Sequence, residues 1–83
     1  MTRALIFRRL DSALDTMEAR GMKVRAIYLT AADWLAYDRA QSRALRRPVS
    51  CFQYSGHDIR SGERSAVYST HGVGIAVPKR VPE

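Results

Sequence analysis

A single cysteine, Cys51, stands among 83 residues, so no disulfide can form within the chain. Small secreted domains generally need several such staples, and their absence points to a reducing, cytoplasmic setting. Long apolar runs are also missing. Ala4-Leu5-Ile6-Phe7 ends at Arg8 and Arg9, short of the apolar stretch of a secretory signal. No later run approaches the ~20 residues that cross a bilayer, and no membrane partner is expected. Acidic residues are scarce, eight against fourteen Lys and Arg, and neither an internal repeat nor a low-complexity linker interrupts the chain.

What is present is basic, and mostly arginine. The formal charge is +6, and twelve of the fourteen basic residues are Arg. A planar guanidinium matches phosphate and carboxylate geometry better than an ammonium does, so the composition leans toward an anionic partner; an arginine-coated surface kept for solubility explains the same count without one. The 46% apolar content is ordinary for a globular fold, and the length allows only one core. Residues 1–80 are expected to form one compact domain and residues 81–83 a frayed tail.

Two helices and a strand precede a β-rich stretch. From Arg3 to Arg20, Ile6, Leu10, Ala13 and Met17 recur at steps of four, three and four, with Gly21 placed to end the helix. Met22 to Leu29 alternates as a strand, Met22, Val24, Ala26 and Tyr28 against Lys23, Arg25, Ile27 and Leu29. The second set turns from charged to apolar partway, so one end should be exposed and the other covered. A second helix should run from about Ala31 to Leu45, with Thr30 as N-cap and Asp33 in the favourable field of its first turn. Trp34, Tyr37, Gln41 and Leu45 should face the sheet, while Arg39, Arg43 and Arg46 or Arg47 form a ridge on another side. Cations near a helix C-terminus are stabilised by the macrodipole, which explains part of that ridge without any ligand. With only Asp38 close enough to pair, four guanidinium groups there also fit a phosphate-facing role.

Val49 to Val77 carries short Val-, Tyr- and Ile-rich runs broken at Ser55-Gly56, Ser61-Gly62-Glu63 and His71-Gly72, the pattern of a strand meander. Phe52, Tyr54 and Ile59 should point into the core, and Pro78-Lys79-Arg80 should end the pairing. The fold expected is α+β: helix, strand, helix, then a three- or four-strand antiparallel meander, with both helices on one sheet face.

Catalytic and metal motifs are weak. Cys51, His57 and His71 are scattered, whereas zinc sites present paired ligands close in sequence, so no metal and no cofactor is expected. Gly72-Val73-Gly74 lacks the third glycine and following helix of a dinucleotide loop. His57 and His71 with Arg60, Arg64 and Tyr68 are the residue types a small ribonuclease needs for proton transfer and phosphate clamping. Ser69-Thr70-His71 with the later Val77-Pro78 resembles the Gly-Ser-His and Val-Pro of double-stranded-RNA-binding-domain-like messenger-RNA interferases of bacterial toxin–antitoxin pairs. The likeness covers about nine residues, with a threonine before the histidine, and implies a nuclease role for His71 alone.

The expected function is a non-enzymatic binding module that contacts nucleic-acid phosphates through Arg39, Arg43, Arg46, Arg47, Arg60 and Arg64. One alternative is a protein-interaction or inhibitor factor, of the type phages and mobile elements use, docking on an acidic protein. The other is the ribonuclease using His57 and His71. Homodimerisation through a bare sheet face or edge fits any of the three.

Overall fold

A computed structural model describes residues 4–45 and 53–81 of the chain. Helix α1 (Leu5–Ala19) buries Ile6, Phe7, Leu10, Ala13 and Met17, the stripe its spacing implies. It closes in a Schellman motif. Gly21 takes φ +71°, the Met22 N–H donates to Met17 O at 3.1 Å, and the Gly21 N–H donates to Glu18 O at 2.9 Å. Strand β1 (Val24–Leu29) follows, then helix α2 (Ala31–Leu45). The α2 start is the expected cap: the Asp33 N–H donates to Thr30 Oγ1 at 3.3 Å.

The remaining strands are β2 (Gln53–Tyr54), β3 (His57–Ser61), β4 (Ala66–Ser69) and β5 (Gly74–Ala76). Ser55 and Gly56 join β2 to β3 with φ of 54° and 80°, both in the left-handed region that a two-residue type I′ turn requires. Arg46, Arg47, Cys51 and Phe52, the Pro48 stop and the last two residues of the expected tail lie outside the described residues.

The α+β class and the packing of both helices on the sheet follow the sequence expectation, but the sheet is five-stranded and mixed. Its order is β2-β3-β1-β4-β5, with β1 parallel to β3 and the other neighbours antiparallel. The meander expected over residues 49–77 is therefore split into two hairpins by an inserted β1. The reason is burial. Ile27 lies opposite Ile59 on one side and Val67 on the other, and Val67 lies opposite Ile75, so the central position of β1 completes an apolar row across four strands. The α2 segment makes the crossover that a parallel pair needs.

β1 does not alternate strictly. Its register with β4 pairs Val24 with Ser69 but Ala26 with Tyr68, so two residues of β1 span one step of β4. That is a β-bulge. Val24 stays with Ile27 and Leu29 on the core side, while Arg25, Ala26 and Tyr28 line a depression on the other side. The charged-to-apolar switch in the sequence marks this bulge.

The core fills the space between the helices and one sheet face. Phe7 of α1 stacks on Tyr54 of β2 with centroids 5.5 Å apart and meets Tyr37 of α2 edge-on at 6.0 Å. The two tyrosines keep their hydroxyls satisfied: Tyr37 donates to Gln53 O at 2.7 Å, and Tyr54 donates to Asp11 Oδ1 at 2.7 Å. This holds a two-residue edge strand that its own ladder could hardly retain.

A polar knot ties the helical layer to the chain's far end. Arg9 of α1 forks onto Asp33 of α2, Nη1 to Oδ1 at 2.9 Å and Nη2 to Oδ2 at 3.2 Å, and its Nε donates to Pro78 O at 2.6 Å. The Ser65 hydroxyl, just before β4, donates to Asp33 Oδ2 and accepts from the Thr30 N–H at 3.1 Å. The two charged side chains are 13% and 18% exposed. Burial pushes the Asp33 carboxyl up, but hydrogen bonds from Arg9 and Ser65, the Arg9 charge and the Thr30 hydrogen bond outweigh it and hold the carboxyl below its ordinary 3.8.

A carboxyl whose folded pKa is depressed stabilises the fold above its unfolded value and loses that contribution as pH falls through the folded one. Wild type should therefore lose stability as pH drops from about 4, and Asp33→Asn should flatten that part of the urea-midpoint profile. Arg9→Ala should cost about 2 kcal/mol at neutral pH by leaving a half-buried carboxylate without its fork. Equal pH profiles for wild type and Asp33→Asn would show that the knot carries no linkage.

Candidate functional site

Because α1 and α2 share one face of the sheet, no helix among the described residues covers the other face. Residues that alternate with the core row occupy it. Arg60, Tyr28, Ala66 and Ala76 are successive partners across β3, β1, β4 and β5, and Ala26, Tyr68 and Gly74 form the neighbouring row. Tyr28 on the central strand β1 and Tyr68 on the adjacent β4 therefore sit diagonally across that pair. Their rings meet at 5.2 Å and 87°, an edge-to-face pair.

Two glycines make room for this pair. A Cβ at Gly74 would lie 2.8 Å from Tyr68 Cε1, and one at Gly62 would lie 3.1 Å from Tyr28 Cδ1. The side-chain-free backbone at both positions lets each ring settle against the strand or turn beside it. Around the pair opens a depression of about 440 Å³ that Arg25, Glu63 and Arg64 also line. Arg60 is the in-register partner of Tyr28 and so projects from the same face. The opposing carboxylates are Glu63 and Asp58, the latter accepting a hydrogen bond from Gln53 Nε2 at 3.0 Å.

The arginines singled out from the sequence fall into two groups. Arg39 and Arg43 are exposed on α2, in the helical layer, whereas Arg60 and Arg64 belong to the opposite, helix-free side. Arg46 and Arg47 lie outside the described residues. Among the described residues no ion pair joins Asp38 to either arginine of α2, and the Arg9–Asp33 bridge withdraws a different arginine from the surface.

His57 pairs with the buried Tyr54 and lines a depression beside Asp11, Asp15 and Glu18 of α1, on the helical side. It does not share a face with Arg60, Arg64 and Tyr68. His71 is exposed in the turn between β4 and β5, where its Nδ1 lies 3.2 Å from Thr70 Oγ1 and its N–H donates to the buried Ser69 hydroxyl at 3.2 Å. That hydroxyl also accepts from the Val73 N–H at 3.0 Å, so Ser69 holds the turn together. No cluster of three metal-ligating side chains occurs among the described residues, and no helix there is long and apolar enough to cross a membrane.

Sequence reasoning missed Arg25 and the pairing of the two tyrosines. The signal for Arg25 was the interrupted alternation of β1, and the signal for Tyr68 was the Gly-x-Gly that follows it, spacing that makes a bed for a cross-strand ring. No protein-family model matches the chain, and no curated protein or solved structure matches it.

The contact at Gly74 is testable by adding one methyl group. Gly74→Ala should change stability by less than about 1 kcal/mol, because the ring that must give way is the free end of a side chain. It should nevertheless separate the tyrosines, reducing the ring-current shifts of Tyr28 and Tyr68 in the proton NMR spectrum. Unaltered shifts would mean that the glycine does not hold the ring in place.

Proposed function

We propose that the protein is a small non-enzymatic binding module that contacts the phosphates of a nucleic acid through its arginines. One observation carries this reading. The exposed side chains of Arg25, Arg39, Arg43, Arg60 and Arg64 are engaged by no ion pair or hydrogen bond among the described residues, on a chain of net charge +6. A guanidinium already committed to a carboxylate, as Arg9 is to Asp33, has little to offer a phosphate. An unengaged one keeps its donors free for the bidentate contact that phosphate oxygens accept.

Phosphate contacts of this kind are driven by release of counterions from the polyanion. The binding should accordingly be steep in salt and nearly indifferent to sequence. The two arginine groups give the reading internal structure: if both contact the ligand, the nucleic acid passes over more than one layer of the molecule, and if only one does, the other serves solubility.

Fluorescence anisotropy with labelled DNA and RNA at about 50 and 200 mM salt tests the proposal. Four phosphate contacts imply an affinity loss on the order of a hundredfold between the two conditions. Arg60→Glu with Arg64→Glu, and separately Arg39→Glu with Arg43→Glu, should each reduce both the affinity and the salt slope if its group takes part. Absence of binding at the lower salt would overturn the proposal and leave an acidic protein as the partner class to pursue.

A further inference from the structure

We infer that the ligand of the helix-free sheet face is a single-stranded nucleic acid, whose bases stack on Tyr28 and Tyr68 while Arg25, Arg60 and Arg64 meet its phosphates. This rests on the nucleic-acid reading above and goes beyond it by naming the strand state and the groups that read it.

The sheet face supplies what a single strand needs and what a duplex cannot use. Tyr68 is 36% exposed and Tyr28 only partly buried, whereas the two tyrosines on the core side, Tyr37 and Tyr54, are buried to 2% and 8%. The ring is not left out for want of space, since Gly74 and Gly62 are the residues that admit the pair and both lack the side chain that would displace it. Small residues surround the rings. Ala26, Ala66 and Ala76 occupy the neighbouring positions of the same face, so nothing tall stands between an incoming base and the tyrosines. The rings meet at 87°, so they do not stack on each other, and each nucleobase has a π-face to present to a ring.

Charge sits at the margin of this floor. Arg25 and Arg64 line the same depression as the rings, and Arg60 is the strand neighbour of Tyr28. Three guanidinium groups face two carboxylates, and one of those, Asp58, is already held by Gln53. Aromatic rings inside a fringe of arginines are the combination that binds unpaired strands: stacking takes the bases and the cations take the backbone. In a duplex the base faces are hidden against one another, and the two tyrosines would have only groove walls and sugars to touch.

The test compares a fluorescein-labelled single-stranded oligonucleotide of about twelve residues with the duplex of the same sequence, as DNA and as RNA, against wild type, Tyr28→Ala, Tyr68→Ala, Tyr68→Phe and the Arg60→Glu, Arg64→Glu pair. Expected are tighter binding of the single strand, a loss of about tenfold for each Ala variant, and retention within about threefold for Tyr68→Phe, which keeps the ring. Should an Ala variant fail to fold, Tyr68→Leu, apolar and bulky but without a ring, decides the matter: a loss of about tenfold supports stacking, and unchanged affinity overturns it. Equal binding of single strand and duplex, with the tyrosine variants unaffected and the arginine pair weakened, overturns the stacking inference and leaves the phosphate reading standing. No binding of either form overturns both. In that event, a concentration-dependent dimer in sedimentation that Tyr68→Ala abolishes would assign the face to a second copy of this chain.

Discussion

The fork of Arg9 on Asp33 is the contact on which the arrangement of the molecule turns. It joins α1 to the first turn of α2, and through Ser65 and Pro78 it fastens both helices to the segments that flank β4 and β5. A chain of 83 residues has apolar surface for one core only. Once both helices are clamped to the same side, that core lies between them and the row running from Ile59 through Ile27 and Val67 to Ile75. The other sheet face then receives no helix. Its exposure is a consequence of size and of where the knot holds the helices.

What stands on the bare face is set by a single extra residue. The bulge at Arg25 turns β1 so that Val24 remains on the core side while Arg25 joins Ala26 and Tyr28 outside. Without it, strict alternation would put Arg25 on the same side as Ile27 and Leu29, and a charge would face the core. The bulge thus solves a burial problem and places a guanidinium beside an aromatic pair in one step. The glycines at 62 and 74 act from the neighbouring segments in the same sense, giving the rings a bed instead of a crowd. Local backbone irregularity, apolar economy and surface chemistry converge on one patch of about 440 Å³.

The sequence made the local elements legible and the non-local ones hard to see. The α1 stripe, the Thr30 cap, Gly21 and the Ser55-Gly56 turn follow from rules that act within a few residues, and the structure has each of them. Strand order does not follow from such rules. That β1 lies between β3 and β4 is decided by which strand most needs covering on both edges, and the consecutive β-runs after residue 49 look the same along the chain whether or not another strand divides them. The knot is equally silent, since Arg9 reaches Asp33 across 24 positions and nothing near either residue announces it. For the surface, the arginine excess was legible as a count. Its division between α2 and the sheet face was not, because that depends on which side of the sheet each element occupies.

One spatial claim separates base stacking from phosphate contact alone: a bound single strand would lie on the sheet face that carries Tyr28 and Tyr68. Titrating isotope-labelled protein with a short single-stranded oligonucleotide and following backbone and aromatic-ring NMR shifts locates the ligand residue by residue. The expected result is a set of perturbations centred on Arg25, Tyr28, Arg60, Arg64 and Tyr68, with the exposed residues of α2 shifting little. Perturbations confined to Arg39, Arg43 and their neighbours on α2, or none at saturating oligonucleotide, would contradict it.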